Sequence, residues 1–279
     1  MHKVTSVILF GLMLMGFAPG SAGQANNIRV TALNSQYKTI AGQYAGWFTT
    51  GQPANSVLNR AGFTDSGGAL SLSYPGGIAS DGKRLLLADR GNNRVLLWNS
   101  LPTGNTPPDI VIGQKDFLSY DSGKGRDQMN WPVSVRTDGQ HVIVADTNND
   151  RVLIWNSFPT RHGQPADLVL QMNELRWPWG LWTDGTKLVV SSTGSARLLV
   201  WNQFPTQDNQ AFAVQLTGNG QLGTPRTITS NGRLLIVGDH NPRVPGQPVE
   251  IPGNFVWKTF PTANEQPVDF FVSDPLESN

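Results

Sequence analysis

An all-β fold built from four-stranded repeat units is predicted by three features of the sequence. Four segments share one register: Tyr74-Pro75-Gly-Gly-Ile-Ala-Ser-Asp81-Gly82, Trp131-Pro132-Val-Ser-Val-Arg-Thr-Asp138-Gly139, Trp177-Pro178-Trp-Gly-Leu-Trp-Thr-Asp184-Gly185 and Thr224-Pro225-Arg-Thr-Ile-Thr-Ser-Asn231-Gly232. A Trp follows the first three prolines at one fixed distance of 23 residues, as Trp98, Trp155 and Trp201, and follows the fourth after 32, as Trp257. Short apolar runs alternate with turn residues, and no helical period appears. Units of 46–57 residues with four strands each are the arithmetic of a β-propeller.

Residues 1–25 stand apart from these repeats. His2 and Lys3 precede an apolar run from Val4 to Phe17, and the small residues Gly20-Ser21-Ala22-Gly23 follow. That is the pattern of a secretory signal, and the run is shorter than the roughly 20 residues a membrane span needs. Export to a secreted or periplasmic location is expected, with no membrane span. Residues 26–279 then form the propeller, with repeats starting near 75, 132, 178 and 225.

Within each unit, Ile78, Val135, Leu181 and Ile228 mark a first strand closed by Asp-Gly or Asn-Gly, the strongest short hairpin signal. The next runs, Leu85–Ala88, Val142–Ala145, Leu188–Ser191 and Leu234–Gly238, are continuously apolar, as in a strand covered on both faces. A polar turn leads into Arg94–Trp98, Arg151–Trp155 and Arg197–Trp201. The last strand is placed at Asp109–Ile112, Asp167–Leu170, about Ala211–Leu216, and Val268–Val272. The fourth unit carries nine extra residues, placed within Asn241–Asn254.

Composition narrows the function. Lys+Arg number 21 against 20 Asp+Glu, which leaves no basic footprint, so no nucleic-acid partner is expected. Cysteine is absent, which excludes disulfides, thiolate metal sites and cysteine catalysis together. An exported chain of this kind is held together by burial alone.

The turns Ala88-Asp89-Arg-Gly-Asn92-Asn-Arg94-Val and Ala145-Asp146-Thr-Asn-Asn149-Asp-Arg151-Val resemble the signature of NHL-repeat propellers, and the Trp-Asn-x-Phe/Leu-Pro-Thr extension with Ile112-Gly113-Gln114 looks like the NHL-type repeats of exported bacterial proteins. The third unit has Ser192 and Ser195 in place of Asp and Asn, and the fourth keeps Asp239 before its interruption. The resemblance covers about residues 38–273. It implies a six-bladed propeller closed by an N-terminal strand, and binding through the loops and the central mouth. Ile40-Ala41-Gly42-Gln43 resembles the outer strand Val111-Ile112-Gly113-Gln114 and reads as such a closing strand. Residues 26–74 suffice for one partial or degenerate blade. Closure with four to five blades and a truncated chain are both open readings; truncation is favoured because natural propellers avoid open edges.

Asp89, Asp146 and Asp239 are read as acceptors of backbone N–H groups in tight turns rather than as calcium ligands. Arg94, Arg151 and Arg197 are read as packing and pairing within a blade. His141 aligns with Arg84, Lys187 and Arg233, a position expected to take an exposed polar group. His162 lies in a loop, and His240 aligns with Arg90, Thr147 and Thr193. No two histidines stand at the spacing of a ligand pair, so neither a metal nor another cofactor is expected. Gly218-Asn-Gly220-Gln-Leu-Gly223 matches a dinucleotide pattern, but a strand rather than a helix is expected after it.

Trp98, Trp155, Trp201 and Trp257 are assigned to blade packing. Tyr74, Trp131 and Trp177 precede the anchor prolines, where each chain enters its inner strand; Trp179 and Trp182 join them, with Arg136 and Arg226 on neighbouring inner strands. These seven form the candidate ligand site, an aromatic rim with cations suited to a protein, peptide or glycan. The sequence therefore predicts a non-catalytic binding or scaffold module. Its rivals are a metal-dependent hydrolase or lyase of lactonase-like or amidating-lyase-like type, with a site in the central channel, and a purely structural envelope protein.

Overall fold

The computed structural model describes residues 71–246 and 252–273, together with Ala54, Leu58 and three N-terminal strands. Those strands are β1 (Ser6–Ile8), β2 (Arg29–Ala32) and β3 (Tyr37–Thr39), of which β1 and β3 form an antiparallel ribbon. Sheet I comprises β4 (Pro75–Ser80), β5 (Leu85–Asp89), β6 (Arg94–Trp98) and β7 (Ile110–Ile112). Sheet II comprises β8 (Pro132–Thr137), β9 (Val142–Asp146), β10 (Arg151–Trp155) and β11 (Leu168–Leu170). Sheet III follows with β12 (Pro178–Thr183), β13 (Leu188–Ser192), β14 (Arg197–Trp201) and β15 (Val214–Leu216). Sheet IV has β16 (Pro225–Ser230), β17 (Leu235–Asp239), β18 (Gly253–Trp257) and β19 (Phe270–Ser273), with β2 added in parallel to the outer edge of β19.

Each repeat is thus a four-stranded antiparallel meander, and the first strands β4, β8, β12 and β16 lie side by side in that order. This is a propeller-like arrangement of four sheets. The last strands are shorter than the sequence suggested: Asp109 and Asp167 lie outside them and accept the N–H of Asn99 and Asn156. The extra residues of the fourth unit fall between β17 and β18. Ile40–Gln43 lies outside the described residues.

Alternation on each strand explains how the sheets stack. Leu86, Ala88, Val95, Leu97, Ile110 and Ile112 of sheet I pack on Val135, Val142, Val144, Leu153 and Trp155 of sheet II, all buried. The same positions recur between sheets II and III and between III and IV. Trp98, Trp155, Trp201 and Trp257 are fully buried, and each indole N–H reaches a carbonyl in the loop ahead of the last strand. Inner strands approach closely: a Cβ on Gly180 would overlap the carbonyl oxygen of Arg226 in the next sheet.

The Asp-Gly turns work as the sequence indicates. Gly82, Gly139, Gly185 and Gly232 all have φ between +82° and +94°, and the preceding carboxylate or amide oxygen accepts two N–H groups downstream. At Asp81, burial would raise the carboxyl, but the Arg84 and Lys83 N–H groups and the Arg84 guanidinium outweigh it and hold the pKa at about 2.

His141 corrects one expectation. It is not simply exposed: its ring pairs with Asp138 at 2.6 Å and stacks 4.1 Å from Phe204 of sheet III. Its counterpart Arg84 pairs with Asp81 and lies over Phe158 of sheet II, and Lys187 reaches towards Phe260 of sheet IV. The position therefore selects a cation or ring that bridges its own hairpin to the Phe of the next Phe-Pro-Thr segment.

A second joint protects the outer edges. The loop after each Phe-Pro-Thr turns back onto the previous sheet: Gly163 N–H donates to Val111 O, Asn209 to Val169 O and Glu265 to Gln215 O. The same edge strands donate back to His162 Nδ1, Asp208 and Asn264. An edge strand capped in this way cannot template another chain. His162→Ala is expected to cost about 1 kcal/mol through the lost acceptor for Val111 N–H, whereas His162→Asn, mimicking Asn264, keeps most of it. Urea unfolding of the two variants checks this; equal losses would rule out the hydrogen bond as the cause.

Candidate functional site

The rim is built by backbone conformations that its residues do not favour. Tyr74, Trp131 and Trp177 have φ of +47°, +55° and +50°, in the left-handed region. Bulky side chains rarely sit there, and a residue ahead of proline prefers extended backbone. Such positions cost on the order of 1–3 kcal/mol each and persist only where surrounding contacts enforce them.

Those contacts are the repeat turns. Asp89, Asp146 and Ser192 accept the N–H of the residue just before each aromatic, Ser73, Asn130 and Arg176, all at 2.7 Å. Asn93 and Asp150, themselves left-handed at the end of the turn, reach across to the following sheet and accept the N–H of Trp131 and Trp177 at 2.7 Å. In sheet III that position is Ala196, which has no acceptor to offer. Thr224 accordingly takes Asp239 of its own sheet and is absent from the left-handed set. The rim stops where the strap stops.

Asp89 and Asp146 are further held by buried ion pairs to Arg94 and Arg151 at 2.8 and 2.7 Å. Arg197 departs from this pattern and donates to Gln215 instead. Asp239 has no arginine at the corresponding position; burial pushes its carboxyl up, against the N–H groups of Thr224, Gly223 and Asn241.

The seven candidate residues fall into four places. Tyr74 and Trp131 pair at 5.8 Å between ring centroids, with the Arg90 guanidinium 5.3 Å from the Trp131 ring. Trp177 meets Trp179 edge-on at 5.5 Å, and Arg226 lies 4.6 Å over Trp179. Tyr74 is 68% exposed and Trp177 41%, so rings face water despite the strain that holds them. Trp182 sits elsewhere, against Phe260 and bonded to Ser230 O. Arg136 donates to the carbonyls of Ile78, Val135 and Leu181, tying three inner strands together, and burial pulls its guanidinium below its ordinary pKa.

Two rim residues escaped the sequence reading. Arg90 differs from Thr147 and Thr193 at its repeat position, and Asn148 holds the Trp177 indole N–H at 3.1 Å. The departure of Arg90 from threonine was the visible signal; Asn148 gave none. Among the described residues no three His, Asp or Glu gather, and the inner strands carry none of these types. Gly218–Gly223 forms a turn between β15 and β16, with no helix after it.

No protein-family model matches this chain, and no curated protein does. Solved structures of similar shape include the computationally designed Ika4 protein, 10% identical over 75% of this chain and 99% of its own, with a TM-score of 0.43. A nidogen/laminin complex is 19% identical over 72% of this chain and 69% of that one, with a TM-score of 0.44. The designed Ika8 protein is 10% identical over 71% and 67%, with a TM-score of 0.43.

Proposed function

We propose that this chain is an exported NHL-type propeller that acts as a non-catalytic binding module and takes its ligand on the aromatic rim. The observation that carries this reading is the run of three aromatic residues held left-handed ahead of proline, two of which, Tyr74 and Trp177, turn their rings to solvent, while Trp131 is half-buried beside Tyr74. Packing alone would gain more from buried rings on relaxed backbone; strain kept on exposed rings suits a preorganised contact surface. Protein, peptide and glycan ligands all fit aromatic platforms of this kind. In this reading residues 1–25 direct export and are removed, taking β1 with them. The absence of carboxylates and histidines from the inner strands supports binding over metal-assisted hydrolysis.

The test uses glycine, which occupies the left-handed region without penalty. Trp131→Gly and Trp177→Gly remove the rings and relieve the backbone, so stability is expected to stay within about 1 kcal/mol of the parent. Against an array of immobilised peptides and oligosaccharides, probes held by the parent should lose at least about tenfold in affinity, the equivalent of roughly 1.4 kcal/mol. Unchanged binding by both folded variants, or no probe held by the parent, would overturn the reading.

A further inference from the structure

Arg226 is the second residue of β16, and it differs from the other arginines that line the sheets. Arg94 and Arg151 are paired with carboxylates, Arg136 with three carbonyls, and Arg197 with Gln215. The Nε of Arg226 is shut off from water and has no hydrogen-bond partner. Its guanidinium meets no carboxylate among the described residues; its one ring contact is the face of Trp179. The sealed Nε is out of a ligand's reach, but Arg226 as a whole is only half-buried and lines a cleft, so an anion arriving there would supply the counter-ion that its guanidinium lacks.

The space for that ligand adjoins it. A cleft of about 380 Å³ is lined by Arg226, Thr227, Asp239, His240, Asn254 and Ser273, among others. Asp239 does not compete for the guanidinium, since its oxygens accept the N–H groups of Gly223, Thr224 and Asn241. The remaining polar groups include donors for hydroxyls. On the other side of Arg226 stand Trp179 and then Trp177, whose indole N–H is fixed by Asn148.

We infer that this cleft and the adjoining indoles form a subsite for an acidic saccharide, with the sugar carboxylate on Arg226 and the ring on the tryptophans. One unpaired cation matches a monoanion such as a carboxylate, whereas a phosphate dianion would call for more. The rigid flat indoles and the Thr and Asn side chains suit the C–H face and hydroxyls of a sugar. The inference rests on the rim reading above and narrows it.

Isothermal titration of the full chain with a hexuronate trisaccharide, its methyl ester, the matching neutral trisaccharide and a Gly-Asp-Gly peptide tests it. The acid form should bind about tenfold or more tightly than the ester and the neutral sugar, as expected for a charge-assisted hydrogen bond. Arg226→Gln should abolish that preference while leaving neutral-sugar binding in place, and Trp177→Gly should weaken all three sugars. Equal binding of acid and ester, or a preference that survives Arg226→Gln, would overturn the inference; if Trp177→Gly still weakened the sugars, the rim reading would stand. Arg226-dependent binding of the peptide above the sugar would overturn the saccharide assignment. No binding of any sugar would overturn it as well, leaving the rim to its own array test.

Discussion

Asp146→Ala is expected to destabilise the protein by about 3–5 kcal/mol, the usual cost of removing one partner from a buried ion pair. Asp146 is completely buried, and its two oxygens receive the Asn130 N–H, the Asn149 amide and Arg151 Nε within 2.7–2.8 Å. Arg151 would keep the carbonyls of Lys124, Gly125 and Gln128 but hold an uncompensated charge away from water. Asn130 precedes Trp131, so its freed N–H also loosens the left-handed rim position. Sheet III indicates how the loss is relieved. There Ser192 accepts the corresponding N–H, and the arginine has moved to a glutamine. Replacing both members, as Asp146→Ser with Arg151→Leu, removes the stranded charge and should recover most of the stability. Guanidinium unfolding followed by far-ultraviolet circular dichroism measures both variants. A loss below 1 kcal/mol for Asp146→Ala would mean the pair contributes little net stability.

The positions legible in the sequence are those whose chemistry is satisfied within one repeat. The four buried tryptophans, the Asp-Gly turns and the Asp acceptors recur at fixed spacing because each unit solves the same local problem. Joints between sheets were not legible in this way. Arg84 meets Phe158, and His162 meets Val111, across more than 50 residues of chain, so no local pattern marks them. The same limit explains His141, whose place in the repeat is that of a plain surface residue but whose ring stacks on Phe204 from the next sheet. The left-handed backbone at Trp131 runs against the extended preference of a residue ahead of proline, and the acceptor that Asn93 reaches across from the previous sheet, together with Asp146 on the neighbouring Asn130 N–H, holds it there. Trp182 and Arg136 show the converse. Their residue types suggested the rim, but each is engaged between inner strands.

Trp155→Ala should produce a comparable loss, about 3–5 kcal/mol, for a different physical reason. The indole is wholly buried between sheets I and II, beside Ile110, Ile112, Val142 and Leu153, and close-packed neighbours fill such a void only in part. Its N–H also donates to Gln164 O at 3.0 Å, so the truncation orphans a carbonyl as well as opening a cavity. Trp155→Phe separates the two effects, because it retains most of the packing and loses only the hydrogen bond; a loss of about 1–2 kcal/mol is expected. Trp98 provides the comparison within the same molecule. It shares its cluster with Leu87, Leu96 and Val111, against which Leu58, Leu72, Leu85 and Phe117 pack, and among the described residues no four-stranded sheet lies on that side. In a stacked-repeat protein, the interfaces between neighbouring units carry much of the stability. Trp98→Ala should therefore cost less than Trp155→Ala when both are unfolded in guanidinium and followed by circular dichroism. Equal losses would show that stability resides within each sheet rather than between sheets, and would remove the basis for treating the cross-sheet straps as what holds the rim in place.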